Sequence, residues 1–204
     1  MVYAHDGRRE RSVATVRAGD GSFLFLSRPA LDFADTGGVG GYESLDAATD
    51  LQRWVRAAFR LDVDVSNDGW KEGLALRRAI WELVRANLQG LAEPASAISV
   101  INTAARRGSI ARQLDRSAQR WHWERPASLH GVLSAVARDA IEVLAVEERS
   151  RLRECAADNC ALVFYDDSRS GRRRWCAAQR CGDRTRARTY RSRQKTTTQE
   201  TTTR

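Results

Sequence analysis

Four cysteines near the carboxyl end carry the clearest chemical signal in this sequence. Cys155, Cys160, Cys176 and Cys181 are the only cysteines of the chain, and they read C-x4-C, fifteen residues, C-x4-C. Each short pair supplies two thiolates from a tight turn, and the segment between the pairs can bring both turns around one tetrahedral ion. Because all four positions are thiolates, none is left open for water. The spacing predicts a structural Zn²⁺ site, which stabilises a fold and activates no nucleophile.

Buried free thiols and two disulfides are the alternatives to a metal site. Disulfides require an oxidising compartment, and the first ten residues contain no apolar stretch of the kind that signal peptides carry. Four unrelated buried cysteines are not expected to crowd into one short segment. We therefore expect zinc and a cytoplasmic protein.

The residues around the cysteines predict a small β-hairpin and a helix. An apolar run at 162–165, a turn cluster at 166–171 and a second run at 172–176 are typical of a hairpin. Asp183, which follows the last cysteine, can cap a helix over 184–194. This order is similar to a treble-clef zinc finger. The metal is expected to supply most of its folding free energy, on the order of 10 kcal/mol.

Positive charge is concentrated in the same segment. Residues 149–195 contain fourteen Lys or Arg against five Asp or Glu, a net of +9, whereas the whole chain is +8, so the other 157 residues sum to −1. Abundant arginine (32 of 34 basic residues) would by itself spread the excess along the chain. A cationic stripe on the last helix beside a basic hairpin is typical of a phosphate-backbone binder. The predicted nucleic-acid contacts are Arg172, Arg173, Arg174, Arg184, Arg188, Arg191 and Lys195.

These residues resemble a known family, the CGNR zinc finger, which is named for a Cys-Gly-Asn-Arg motif at its last ligand. The resemblance covers Arg151 to Arg193 and includes the Cys-Gly-Asp-Arg run that begins at Cys181. Family members are bacterial proteins in which the finger follows a mostly helical ABATE domain, and they are described as stress-induced transcription regulators. The Leu-Asp-Phe-Ala-Asp-Thr run at 31–36 resembles the Leu-Asp-Phe-Val-Asn-Thr signature that opens the ABATE domain.

Two family asparagines are aspartates here, Asp183 in the finger and Asp35 in the amino-terminal signature. Asp caps a helix as well as Asn does, so the fold is expected to persist. A carboxylate only accepts hydrogen bonds, so base recognition through position 183 is in doubt.

The amino-terminal part predicts a disordered leader over residues 1–20 and then a hairpin of strands at 22–26 and 30–33, turned at Pro29. Asp32 and Asp35 would lie near its end, as capping residues, as a possible ligand-binding pair or as a catalytic pair. The glycine-rich run at 37–41 lacks the following Gly-Lys-Ser/Thr of a phosphate loop, so a flexible connector is expected.

Helical periodicity dominates from residue 44 onward. It predicts a helix capped by Ser44, a second helix after Asp68, a third that begins at Pro94, and a long helix from Pro126 that continues almost to Cys155. Residues 110–114 and 120–123 predict another hairpin. The predicted fold class is mainly α with short β-hairpins: a helical domain (21–149), a small treble-clef-like zinc finger (150–195) and a disordered tail (196–204).

The function expected is a zinc-dependent DNA-binding regulator, whose helical domain dimerises or senses a small-molecule effector. The alternative is a zinc-stabilised module that binds a ligand, a protein or RNA without specific DNA recognition. An enzyme is not expected, because no nucleophile and base pair, open metal position or cofactor loop is present. No apolar run approaches the length of a membrane span.

Overall fold

The computed structural model describes residues 14–18, 21–26, 28–37, 43–158 and 160–202. Their elements, in chain order, are β1 (Ala14–Ala18), β2 (Gly21–Phe25), α1 (Pro29–Ala34), α2 (Ala48–Phe59), α3 (Asn67–Gln89), α4 (Ala95–Arg106), β3 (Arg112–Leu114), β4 (Trp121–Trp123), α5 (Leu129–Leu144), α6 (Val146–Arg149), β5 (Leu152–Glu154), β6 (Val163–Tyr165), a π-helical turn (Ala178–Gly182) and α7 (Asp183–Thr202). Within these residues the strands form three antiparallel hairpins, β1–β2, β3–β4 and β5–β6. The mainly helical fold class is confirmed.

The main core lies among α1 to α5. Trp54 of α2 is fully buried, and its ring lies 4.7 Å from that of Phe33 and 5.8 Å from that of Phe59. The central helix α3 buries Leu76, Ile80, Leu83 and Val84. Trp70 and Trp81 of α3 are half-buried and pack against this core. Aromatic and aliphatic packing, which contributes roughly 1.5–3 kcal/mol for each fully buried side chain, holds this domain together.

The prediction that the strand at 22–26 pairs with residues 30–33 is wrong. β2 pairs with β1, so Thr15 lies opposite Leu24, and residues 29–34 form α1. Pro29 is at the start of α1, where its fixed φ favours the first helical turn and its missing N–H costs nothing. Because β1 lies within the predicted leader, that expectation is wrong for 14–18. Residues 1–13 and most of the glycine-rich run lie outside the described residues.

Helix caps decide the boundaries that periodicity left open. α2 begins after Ala47, whose N–H donates to the Asp50 carboxylate (2.9 Å), so Ser44 is not the cap. Ser66 caps α3 and Ser128 caps α5, each accepting from the N–H three residues later at 3.1 Å. A hydroxyl that satisfies an unpaired N–H of the first turn fixes where a helix starts.

The long last helix of the domain is broken at Ala145. That residue is extended (φ −59°, ψ 150°) and separates α5 from the four-residue α6, which leads through residues 150–151 into β5. The prediction of one helix that continues almost to Cys155 is therefore wrong. Periodicity misses the break because neither Gly nor Pro marks it.

The finger contains a hairpin, but its strands differ from those predicted. β6 pairs with β5, with Arg153 opposite Phe164, whereas residues 172–176 form no strand. The π-helical turn precedes Asp183, so Asp183 continues a helix that has already begun and is not the amino-terminal cap that we predicted. α7 runs to Thr202, whereas the sequence predicted a helix over 184–194. Neither Gly nor Pro follows Gly182 to end the helix earlier. None of the helices that the structure describes is long and apolar enough to cross a membrane.

Candidate metal centre and basic helix

The four cysteine sulfurs converge at one point of the finger. All four Sγ atoms lie within 4.8 Å of one another. Cys155 and Cys160 lie in the loop that joins β5 to β6, Cys176 follows the arginine cluster, and Cys181 lies in the π-helical turn. Two loops and one helical turn therefore each supply thiols to the same small volume. Cys160 is half-buried and the other three cysteines are buried.

The arrangement fits tetrahedral zinc. Zn–S bonds of about 2.3 Å at tetrahedral angles place sulfurs about 3.8 Å apart. The Sγ atom of Cys176 lies 3.8 Å from that of Cys160 and 3.6 Å from that of Cys181. These separations are far too long for disulfides, in which the sulfurs are about 2.05 Å apart. The four cysteines are thus the ligands of a closed Zn²⁺ site, as the spacing predicted.

Electrostatics show why the sulfurs require a cation. A hydrogen bond from Cys176 lowers the pKa of Cys160 to about 5, whereas the same bond and burial raise the pKa of Cys176. Burial raises the pKa of Cys181 to about 11. Without a metal, these opposed pKa shifts favour the thiolate form of Cys160 and the protonated forms of Cys176 and Cys181. A dication removes this conflict and allows all four to ionise.

Backbone hydrogen bonds hold the cysteine loops in place. Cys155 N–H donates to the Leu162 carbonyl (2.9 Å), which closes the loop between β5 and β6. Ala156 N–H donates to the Arg174 carbonyl (2.8 Å) and Cys176 N–H to the Cys155 sulfur (3.4 Å). The second cysteine segment is thereby fixed against the first. An N–H aimed at a sulfur also stabilises its thiolate form.

Arg173 supports the centre from within the finger. Its guanidinium lies 4.7 Å from the Phe164 ring centroid and donates to the carbonyl oxygens of Trp175 (3.0 Å) and Cys176. Its own N–H donates to the Asp166 carboxylate at 2.8 Å. Arg173 thus fixes the chain on both sides of the third ligand. Groups that orient metal ligands commonly influence metal affinity about 10- to 100-fold.

Asp166 organises the turn between the two cysteine pairs. The residue is fully buried, and its carboxylate accepts hydrogen bonds from the N–H groups of Ser168 (3.0 Å) and Arg173 (2.8 Å). Although burial raises the pKa of this carboxyl, the bonds from Ser168 and Arg173 bring it below the usual value. A buried, ionised Asp166 therefore holds the loop that presents the arginine cluster.

The finger is docked on the helical domain. Leu152 of β5 and Val163 of β6 belong to the main core, and Leu26 of the helical domain packs into the cysteine cluster. Arg85 of α3 pairs with Glu154 at 3.2 Å, and Tyr165 hydrogen-bonds Glu148 of α6. The β5–β6 hairpin is therefore shared by both parts of the chain.

Asp32 and Asp35 lie at this junction. Asp32 is buried in α1 and accepts from Leu26 N–H at 2.7 Å, so it holds the turn between β2 and α1. Asp35 accepts from Val163 N–H at 3.4 Å, while its other oxygen is buried without a hydrogen bond among the described residues. Burial, and next the charge of Asp32, raise the pKa of Asp35 well above its usual value. Asp35 thus connects α1 to the finger, whereas Asp32 holds the turn that precedes α1.

The predicted nucleic-acid residues divide into two groups. Arg172, Arg174, Arg184 and Arg191 are exposed, and Arg174 lies 5.2 Å from the Trp175 ring. Arg173 is engaged inside the finger, and Arg188 pairs with Asp158 of the first cysteine loop. Lys195 lies on α7. Arg180, exposed in the π-helical turn, is a cation that our sequence reasoning overlooked because that turn was not predicted.

Two family models match the chain. Residues 151–194 match the CGNR zinc finger, and residues 27–147 match ABATE, whose description is "Putative stress-induced transcription regulator". The chain belongs to the ABATE family. A search of curated proteins found no match.

In this ABATE protein the signature run at 31–36 connects α1 to the finger and thus has a structural explanation. Asp35 carries a carboxyl whose raised pKa favours the neutral form, which is closer in charge to the amide of the family signature. Asp183 is exposed and pairs with Arg186 one turn later in α7. Its substitution for Asn therefore leaves the fold of the finger intact.

Proposed function

We propose that this ABATE protein is a zinc-dependent DNA-binding transcription regulator. The observation that carries the proposal is the surface of α7. Every side chain that the structure describes from Arg186 to Gln194 is exposed. The helix has no apolar stripe with which to join a protein core, and a helix of twenty residues is about 30 Å long. A long, cationic helix that is fixed at one end by a zinc centre, and whose described side chains beyond Thr185 are exposed, suits a polyanion.

The contact set that the geometry favours is smaller than the predicted one. It contains the exposed Arg172, Arg174, Arg184 and Arg191, with Lys195 further along α7, and we add Arg180. Arg173 is excluded because its guanidinium holds the third ligand. Arg188 is better explained as a clamp that fixes α7 to the first cysteine loop through Asp158.

In the proposed mode these cations bind backbone phosphates and position α7 along a groove. Phosphate contacts provide affinity that does not depend on sequence, whereas specificity requires contacts to base edges. Asp183 can only accept hydrogen bonds, so it is not the residue that donates to a base acceptor. A single finger for each chain gives a short contact, so specific recognition would come from a homodimer on two half-sites. Such a regulator would act in the cytoplasm, where the bacterial chromosome lies.

The test is a titration of zinc-loaded protein with a duplex at several salt concentrations. Four to six phosphate contacts predict a log-log slope of Kd against salt of about 3.6 to 5.4 in magnitude. Arg184→Gln and Arg191→Gln should each weaken binding and reduce that slope by about 0.9. Neither substitution should change Tm, because both side chains are exposed.

Arg116→Gln is the matched control. It removes one exposed arginine from the β3–β4 turn, far in sequence from the finger, and should leave duplex affinity and slope unchanged. Absence of duplex binding at low salt would overturn the proposal. Tighter binding of single-stranded RNA or of an acidic peptide than of duplex DNA would favour the alternative interaction module.

A further inference from the structure

A cavity of about 330 Å³ lies between α3, α4 and α5, on the side of the helical domain that leads into the finger. This size falls within the range of small-molecule sites, which begins near 300 Å³. Its walls are mainly aliphatic, formed by Leu83, Ile98, Ile101, Ile141, Leu144 and Ala145. Concave apolar walls of this kind favour the apolar body of a small ligand.

Two of these aliphatic residues are exposed to solvent. Ile98 of α4 is 41% exposed and Ile141 of α5 is 43% exposed. Each lines the cavity, so α4 and α5 leave an apolar entrance between them. Hydration of this apolar surface is unfavourable, and a ligand that covers the surface removes that unfavourable hydration.

Polar groups gather at the part of the cavity formed by α6. Arg149 pairs with Glu93 at 3.2 Å, and its carbonyl accepts from the Asn87 side chain at 3.3 Å. Both charged side chains are partly exposed, at 40% for Arg149 and 45% for Glu93. Either side chain can therefore leave this ion pair and bind a charged group of a ligand. A small number of polar groups beside apolar walls fixes the orientation of an amphipathic ligand.

The charge of the surroundings distinguishes between an anionic and a cationic head group. Residues 149–195, which begin at Arg149, carry a net charge of +9 from their side chains, or about +7 once four thiolates and one Zn²⁺ are counted. This field attracts an anion to the cavity and repels a cation. The planar guanidinium of Arg149 can donate two parallel hydrogen bonds to a ligand carboxylate. A ligand ammonium on Glu93 could not form such a two-bond pair.

We propose that this cavity binds a small amphipathic monocarboxylate, with its apolar body between α4 and α5 and its carboxylate on Arg149 in place of Glu93. At about 30 Å³ for each water-sized group, the cavity holds roughly ten non-hydrogen atoms. An eight-carbon fatty acid has this size and polarity.

The site is placed to influence the finger, an inference that rests on the proposed function. Ala145 marks the break between α5 and α6, Arg149 ends α6, and Leu152 begins β5. A ligand that contacts both ends of α6 therefore contacts the segment that carries the finger. Its occupancy biases the position of β5 and hence the presentation of α7 to DNA.

The experiment is a titration of the full-length, zinc-loaded protein with octanoate. Calorimetry measures the affinity, and thermal unfolding measures the change in Tm. Octanoate should bind at one site, raise Tm and bind at least about tenfold more tightly than 1-octanol or octylamine. Arg149→Gln should abolish the preference for the carboxylate. Ile98→Trp and Ile141→Trp should each fill the entrance and weaken binding about tenfold or more.

Two control variants separate the cavity from nonspecific effects. Leu91→Trp enlarges another exposed apolar residue that does not line the cavity, and Arg106→Gln removes a nearby exposed charge. Both should bind octanoate as the parent protein does. Far-UV circular dichroism of every variant establishes that the fold is retained.

Duplex affinity measured with and without octanoate tests the link to the finger, and a change of about fivefold or more is expected. Octanoate binding with unchanged duplex affinity would overturn transmission through α6. No saturable binding, or binding that Ile98→Trp and Ile141→Trp leave unchanged, would overturn the site. If the protein dimerises and Ile98→Trp abolishes the dimer, the ligand site would be overturned, because a second copy of the chain would cover this surface. Failure of the proposed function is distinguishable, because it appears as absence of duplex binding before any octanoate is added.

Discussion

Arginine 173 shows how one residue type serves two purposes within a few positions. Arg172 and Arg174 point their charge to solvent, whereas Arg173 between them stacks on Phe164 and donates to the carbonyl of Cys176. In sequence the three arginines are indistinguishable. The middle side chain turns toward the finger, where its guanidinium pairs with Asp167 and donates to the backbone carbonyls of Trp175 and Cys176. The Arg173 backbone N–H donates to Asp166.

Zinc affinity should therefore depend on Arg173 and not on its neighbour. Arg173→Gln removes two hydrogen bonds that fix the third ligand and should weaken zinc binding about tenfold or more. Arg172→Gln is the matched control and should leave zinc affinity unchanged. Competition with a chromophoric chelator measures both. If Arg173→Gln leaves zinc affinity unchanged and weakens duplex binding, Arg173 contacts nucleic acid and does not support the metal site.

At the scale of elements, the β5–β6 hairpin is the unexpected feature. Its loop carries Cys155 and Cys160, while Leu152 and Val163 of its strands are buried in the main core at 2% and 1% exposure. One three-residue ladder therefore connects the metal site to the helices. The finger acquires a fixed orientation because its first strand pair is packed on α3 and α1.

Truncation of a hairpin residue should destabilise the helical domain as well as the finger. Leu152→Ala removes a fully buried side chain and should cost about 2–5 kcal/mol of unfolding free energy even with zinc saturating. Leu162→Ala, in the smaller cysteine cluster, should instead affect mainly zinc retention. Urea denaturation followed by circular dichroism compares the two variants. Equal unfolding free energies for Leu152→Ala and the parent protein would show that the hairpin is not part of the main core.

The whole molecule combines a helical domain that has its own core with a finger that depends on metal. Among the residues that the structure describes, the main core contains thirty-one buried residues, whereas the finger cluster contains eight, three of which are cysteines of the metal site. The burial of so small a cluster cannot offset the conformational entropy that the finger loses on folding unless zinc is bound. The two parts are expected to differ in their response to metal removal even though they share a hairpin.

Removal of the metal should therefore unfold the finger and weaken the domain without unfolding it. Cys160→Ser, or a strong chelator, should release zinc and remove protection from residues 155–182, while α2 to α5 remain protected at a lower Tm. Hydrogen exchange resolved by segment measures this difference. Equal loss of protection in both parts would show that they fold as one unit, and full retention would show that zinc is not structural.

The sequence by itself determined the zinc ligands, because four thiols at such spacing have few other uses. It also determined the fold class, because the apolar period of 3.6 residues is present in the long helices of the helical domain, α2 to α5. It also located the basic segment, since charge can be counted without coordinates. Only the tertiary structure decided which strand pairs with which, where α5 breaks, and which arginines face inward. Strand pairing, caps and side-chain direction depend on contacts between residues far apart in the chain, such as Asp35 with Val163. Local pattern cannot report those contacts, and they are what joins the finger to the helices that hold it.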